Sequence, residues 1–217
     1  FEFDEKPAKP KNNKASMGVY IFRWDKLLHY LTEDANTEGS SNDFGKNIIP
    51  NMMADKQRMM AYDFEGYWKD VGTIASLWEA NMDLLQMPMP IDLYDKNWRI
   101  YGRNPGETPH FIAPGAKVKN CLVTEGCEVF GEVSHSVLFS GVTVLEGAVV
   151  EDSIVMPNAV IKRGAIVRRA IIAESAMIGA GATVGGRDAE IAVVGHAAQV
   201  ESGGVVKPGE QYTQEGR

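Results

Sequence analysis

Cysteine is scarce in this sequence, long apolar runs are missing, and so is any basic tract. No stretch approaches the roughly 18 apolar residues that a membrane-spanning helix needs, and no signal-peptide core leads the chain. The charge balance is 22 basic against 29 acidic residues, a net of -7 with both signs interspersed. Nucleic acid and anionic membrane are therefore not expected as partners. Cys121 and Cys127 are the only cysteines. They stand where neighbouring repeats carry small residues, which reads as packing in a reducing compartment rather than as a disulfide or metal site. A soluble, cytoplasmic protein is expected. The chain opens on Phe1 without an initiator methionine, so a piece of a longer protein is expected too.

What is present is a repeat. From Ile112 to Val184, apolar β-formers recur in steps of mostly five or six. Leu138, Val155 and Ile172 step by 17, as do Val144, Ile161 and Ile178, and Val150, Val167 and Val184. One coil is thus three short rungs, one of them a residue shorter. Most long rungs read apolar-x-x-Gly-Ala, as in Val144-Leu-Glu-Gly-Ala and Ile161-Lys-Arg-Gly-Ala. The short rungs, such as Val133-Ser-His-Ser-Val and Val150-Glu-Asp-Ser-Ile, carry no glycine. A rung this short cannot bury its apolar side chain alone and must stack on the rung one coil away. Glycine suits corners with unusual dihedrals, and alanine suits a crowded interior. The beat breaks at Gly185-Gly186-Arg187-Asp188 and resumes at Val194, Val200 and Val206, so residues 185–193 read as an insertion before closing rungs that cap the end.

Ahead of the repeat the periodicity changes. Phe1 to Phe3 reads as a strand end, Ala15 to Phe22 as a buried strand and Met59 to Phe64 as another. Asp25 is expected to cap a helix burying Leu27, Leu28 and Leu31. Asp43 to Pro50 leads a helix with Ile48, Ile49, Met52 and Met53 inward, and Thr73 caps one that buries Ile74, Leu77, Trp78, Leu84 and Leu85. Pro88, Pro90, Pro105 and two glycines mark a linker. The expected domains are residues 1–87, a linker over 88–110, and 111–217.

Three clusters could carry chemistry. Lys6, beside Glu5 and Pro7, is a point charge for an anionic group, and Glu5 can bind hydroxyls. In Gly66-Tyr67-Trp68-Lys69-Asp70-Val71-Gly72, Asp70 suits a hard cation at a phosphate site and Trp68 offers a flat face to a sugar. Ser16 and Asp43 are weaker candidates by themselves.

The segments Phe3 to Pro7, Ala15-Ser16-Met17-Gly18, Asp43-Phe44-Gly45 and Glu65 to Thr73, in this order before a hexapeptide repeat, resemble bacterial glucose-1-phosphate adenylyltransferase (ADP-glucose pyrophosphorylase). Trp98 to Tyr101 and the Ser134 to Leu138 rung fit the same family. The resemblance implies an α/β, Rossmann-like sugar-nucleotidyltransferase domain, here only partial, followed by an all-β left-handed parallel β-helix; the handedness comes from the resemblance. It implies conversion of ATP and glucose 1-phosphate to ADP-glucose and pyrophosphate in glycogen biosynthesis. Carried over, Lys6 would hold the sugar phosphate and Glu5 the glucose hydroxyls. Ser16, Tyr20, Asp43, Phe44 and Trp68 would line the glucose pocket, and Asp70 would be one of two Mg²⁺ ligands. The glycine-rich nucleotide loop of the family is absent, and Gly179, Gly181, Gly185 and Gly186 fall on rungs and a corner instead. The chain alone is therefore expected to be inactive. The family also implies a homotetramer with β-helix contacts and an anionic allosteric effector, for which Arg99, Tyr101 and Arg103 are candidates, although a solvated connector explains them as well.

Other readings stay open: a regulatory, non-catalytic paralogue, or another sugar-1-phosphate nucleotidyltransferase. Hexapeptide helices also resemble acyltransferases with a histidine base between subunits, for which His135 and His196 would be candidates.

Overall fold

Stacking of short rungs dictates the larger part of the molecule. The computed structural model describes Lys9 and residues 13–102 and 106–213. Its contacts divide it into two compact units, residues 1–68 and 69–217. The second unit contains a parallel β-helix. On one side Phe111–Ile112, Glu128–Val129, Thr143–Val144, Val160–Ile161, Met177–Ile178 and Gln199–Val200 form a six-stranded parallel sheet. The other rungs join a ten-stranded sheet that turns a corner, because Lys117–Val123 and Glu132–Leu138 each run continuously through it.

The register is the one the sequence predicts. Val144 pairs with Ile161, Val150 with Val167, and Leu138 with Val155. After the insertion the offset grows to 22 residues, as Ile172 pairs with Val194 and Val184 with Val206. The interior is dry: Leu138, Val144, Val150, Val155, Ile161, Val167, Ile172, Ile178 and Val184 have no exposed surface, and neither have Ala148, Ala165 and Ala182, which follow the corner glycines. Tyr212 packs on the last coil and its hydroxyl donates to the Gln199 carbonyl (3.0 Å), closing that end as expected. Cys127 is buried and Cys121 half-buried, and both are free thiols.

The corners hold one surprise. Gly147, Gly164 and Gly181 take positive φ, but so do the glycine-free short rungs, at Asn120, His135, Asp152 and Arg169 (φ 44° to 52°). The left-handed turn is thus demanded by the coil and not by the residue occupying it. Next to each corner sits an inward small residue. The Ser136 hydroxyl accepts from the Ser153 amide (3.1 Å), and the Ser153 hydroxyl accepts from the Ala170 amide (3.2 Å). Buried backbone donors left unpaired by the tight turn are satisfied in this way.

Helix α3 (Ile74–Asp83) belongs to the same unit. Thr73 caps it with a reciprocal Thr73–Ser76 capping box. Met82, Leu85, Leu77 and Trp78 pack against Val137, Ile154 and Ile171, while Ile74 stays exposed. Trp78 Nε1 donates to the Asp152 carbonyl (2.8 Å), and the Arg169 guanidinium lies 4.5 Å over the indole. Residues at two left-handed corners therefore anchor the helix.

The first unit is helical among its described residues. Helix α1 (Trp24–Ala35) starts after Arg23 without a side-chain cap; Asp25 lies in its first turn and pairs with Arg23, and Leu28 is exposed where burial was expected. A π-helical turn (Phe44–Ile48) runs into α2 (Ile49–Ala54), with Ile48, Ile49 and Met52 buried and Met53 only partly so. Ala15 to Phe22 and Met59 to Phe64 are extended but form no ladder, and Ile21 (99%), Met60 (83%) and Tyr62 (87%) lie in solvent. A strand needs a neighbour for its backbone groups, and the described residues supply none. Phe1 to Phe3 lie outside the described residues. No described helix is long and apolar enough to cross a membrane.

Candidate functional site

A turn between two helices helps to wall an open depression among the described residues of the first unit. The loop after α1 passes through two left-handed residues, Gly39 (φ 80°) and Asn42 (φ 52°). Asp43 then caps the π-helical turn, its Oδ1 accepting from the Lys46 amide (2.9 Å). Two amides, of Asn47 and Ile48, share the Asp43 carbonyl. This wider turn sets Phe44 out from the helix and onto the extended segment Lys14 to Phe22. Phe44 stacks on Tyr20 (centroids 6.0 Å apart, planes at 13°), and Phe22 closes the triangle at 5.9 Å from each.

The Ser16 hydroxyl lies 3.0 Å from the Tyr20 hydroxyl and accepts from the Gly18 amide (3.2 Å). The result is an open concavity of about 460 Å³ lined by Ser16, Gly18, Tyr20, Asn42, Asp43, Phe44 and Gly45. Its wall combines stacked aromatic edges, two hydroxyls, a carboxylate and a carboxamide. That set suits a small polyhydroxylated ligand, which offers apolar C–H faces to rings and hydroxyls to polar groups.

Four residues predicted from sequence, Ser16, Tyr20, Asp43 and Phe44, thus meet around one space. Trp68 is 44% exposed and is not among the residues lining it. Lys6 and Glu5 lie outside the described residues, as does Arg103. Gly18, Asn42 and Gly45 were not singled out from sequence. For Gly18 (φ 70°) a signal existed in the Ser-Met-Gly turn, whereas Asn42 sat inside a polar loop with nothing to mark it.

Asp70 opens the second unit. Its Oδ1 accepts from the Gly72 amide (2.9 Å), and a Cβ at Gly72 would come within 3.1 Å of that oxygen, so glycine keeps the turn open. An exposed carboxylate with one oxygen so engaged fits a single hard ligand to a divalent cation. Among the described residues no group of three or more metal-ligating side chains gathers. The neighbouring Lys69 is committed to α3, pairing with Asp83 (2.9 Å) and Glu79 (3.1 Å), and the Asp83 carboxylate above all raises its pKa.

In the linker, Arg99 lies with Leu93, Tyr94, Asp95, Lys96 and Ile100 around a shallow depression of about 320 Å³, and Tyr101 is 87% exposed. His135 Nδ1 lies 2.6 Å from Asp152 Oδ1, so its ring is tied to the next corner of the coil. His196 is exposed in a turn.

Comparison with known proteins bears on both parts of the chain. Residues 1–87 match the nucleotidyl transferase family, and residues 113–206 match the GlmU-like C-terminal hexapeptide family. A glucose-1-phosphate adenylyltransferase of Bacillus cereus (strain ATCC 14579) is 57% identical over 148 residues, which covers 68% of this chain and 39% of that protein. One of Clostridium novyi (strain NT) is 56% identical over 144 residues, covering 66% of this chain and 38% of that protein. The chain thus spans about two fifths of the length of these relatives. A segment similar to nucleotidyl transferases is thus followed by one similar to GlmU-like hexapeptide domains, and the chain as a whole is similar to part of these glucose-1-phosphate adenylyltransferases.

Proposed function

We propose that the chain is the sugar-phosphate-binding and β-helical part of a glucose-1-phosphate adenylyltransferase, which makes ADP-glucose and pyrophosphate from ATP and glucose 1-phosphate. The observation that carries this reading is the convergence of Ser16, Tyr20, Asp43 and Phe44 on one concavity. The names of the relatives support the choice of sugar phosphate.

In this reading the aromatic pair Tyr20–Phe44 supports the apolar face of the glucose ring, while Ser16, Asp43 and Glu5 take its hydroxyls and Trp68 adds a further flat surface. Lys6 holds the phosphate as a point charge. The sugar phosphate attacks the α-phosphorus of ATP in line and pyrophosphate leaves. The protein contributes positioning and neutralisation of charge, with no covalent step of its own. Mg²⁺, held in part by Asp70, would supply charge neutralisation on the phosphates. Because the chain spans two fifths of its relatives and carries no glycine-rich nucleotide loop, it binds sugar phosphate without turnover. We further propose the division 1–87, 88–110 and 111–217, a cytoplasmic homotetramer with β-helix contacts, and an anionic effector near Arg99, Tyr101 and Arg103.

The test is pyrophosphate release with Mg²⁺, ATP and glucose 1-phosphate, measured on the chain alone and on an enzyme completed with the portion of the Bacillus cereus relative that the chain does not cover. The expected outcome is no turnover by the chain, turnover by the completed enzyme, a raised KM for the sugar phosphate in Lys6→Ala, and collapse of kcat in Asp70→Ala. A completed enzyme that is inactive, or indifferent to both changes, would point to a regulatory paralogue.

A further inference from the structure

The turn that carries Asp43 is clamped from both sides. On one side Asp34, in the last turns of α1, is 5% exposed, and its Oδ1 accepts from the Ser40 hydroxyl (2.6 Å). That hydroxyl in turn accepts from the Asn42 amide (3.1 Å). On the other side the Asn47 Oδ1, in the π-helical turn, accepts from the Ser41 hydroxyl (2.7 Å) and the Asp43 amide (3.2 Å). Ser40 is thereby tied to α1, Ser41 and Asp43 to the π-helical turn, and Asn42 to α1 indirectly through Ser40. A buried carboxylate invested in a surface turn indicates that the shape of that turn matters.

The residue so fixed is Asn42. It adopts the left-handed conformation (φ 52°), which asparagine takes more readily than most other non-glycine residues. It is one of the residues lining the concavity, next to Asp43, and its exposed carboxamide has no hydrogen-bond partner among the described residues. A carboxamide offers both a donor and an acceptor, the pair that a sugar hydroxyl complements.

Resting on the sugar-phosphate reading above, we propose that Asn42 is a further sugar-contacting residue, and that Asp34, through Ser40, and Asn47 are the positioning residues that hold it and Asp43 at the rim of the pocket. Asn42 reads the hydroxyl side of the ligand and leaves the phosphate to others, so it acts on the sugar and not on the anion.

The experiment is calorimetric titration of the chain with glucose 1-phosphate and, separately, with inorganic phosphate. Asn42→Gly keeps the left-handed backbone at no steric cost and removes only the carboxamide. It should weaken glucose 1-phosphate binding about three- to tenfold, the value of one neutral hydrogen bond, and leave phosphate binding unchanged. Asn47→Ala should weaken glucose 1-phosphate in the same way, and Asn47→Asp, which keeps the accepting oxygen, should restore most of the loss. Should Asn42→Gly bind glucose 1-phosphate like the unaltered chain, or lose phosphate in equal measure, the assignment is overturned while the sugar-phosphate reading stands. Should the unaltered chain bind no glucose 1-phosphate at all, the reading fails and the assignment with it.

Discussion

The β-helix and the segment ahead of it spend their apolar residues in opposite ways. In the β-helix every inward Val, Ile and Ala from Val129 to Val184 has its partner one coil away in the same chain, and the interior has no exposed surface. In the first unit, Val19, Ile21, Met60 and Tyr62 lie on extended segments without a ladder and remain in solvent. The lesson concerns where the partner of a strand is encoded. A repeat carries it at a fixed offset, so local sequence suffices, whereas an α/β segment depends on strands that can come from anywhere.

The comparison can be broken at the core first. Ile161 is fully buried between Val144 and Ile178, so Ile161→Ala should cost about 2–5 kcal/mol and lower the thermal midpoint of the β-helix, read by circular dichroism. Sugar-phosphate binding below that midpoint should not change, and a loss would show that the two parts are not separately encoded. Trp78→Ala comes next. It removes the bond to the Asp152 carbonyl and the surface under Arg169, and because the indole is only half-buried the cost should be about 2 kcal/mol, with faster amide exchange in α3. In the first unit, Phe44→Ala removes the stacked partner of Tyr20. It should cost about 1 kcal/mol in stability but lower glucose 1-phosphate affinity more than tenfold, because Phe44 also lines the pocket.

The smallest effect sharpens the account of the insertion. Glu151 accepts from Arg187, in the loop over 186–191, and from Arg168 on its own face (2.9 Å and 3.0 Å). Arg187 foremost, then Arg168, hold its carboxyl below the ordinary value of 4.5. A depressed carboxylate pKa stabilises the fold fully above that value, and the contribution disappears as pH falls through the folded-state pKa. Protection of the loop amides, relative to their intrinsic exchange at each pH, should therefore be high at neutral pH and fall only below pH 4.5, and Glu151→Gln should show the lower protection at neutral pH already.

Much of this was legible beforehand, and the exceptions have physical causes. The register from Leu138 to Val184, the insertion after Gly185 and the Thr73 cap could be read from spacing and residue type. The left-handed corners at His135, Asp152 and Arg169 could not, because none of these residues announces positive φ as glycine does; the coil imposes it. Ser16, Tyr20, Asp43 and Phe44 could be named from a resemblance, but their meeting in one concavity depends on a π-helical turn that no periodicity signals. Nothing in the sequence marks Asn42, because its placement rests on backbone conformation and on a buried Asp34 eight residues away. Leu28 departs from the expected burial since its i,i+4 relation to Trp24 sets both on the exposed side of α1.

The most direct test of the central claim is a two-dimensional NMR titration of the labelled chain with glucose 1-phosphate. The account predicts shift changes at Ser16 to Tyr20, Asn42 to Gly45 and the Glu5–Lys6 segment, with the stacked rungs from Val129 to Val184 unmoved. Changes centred on the β-helix, or none anywhere at millimolar ligand, would contradict it.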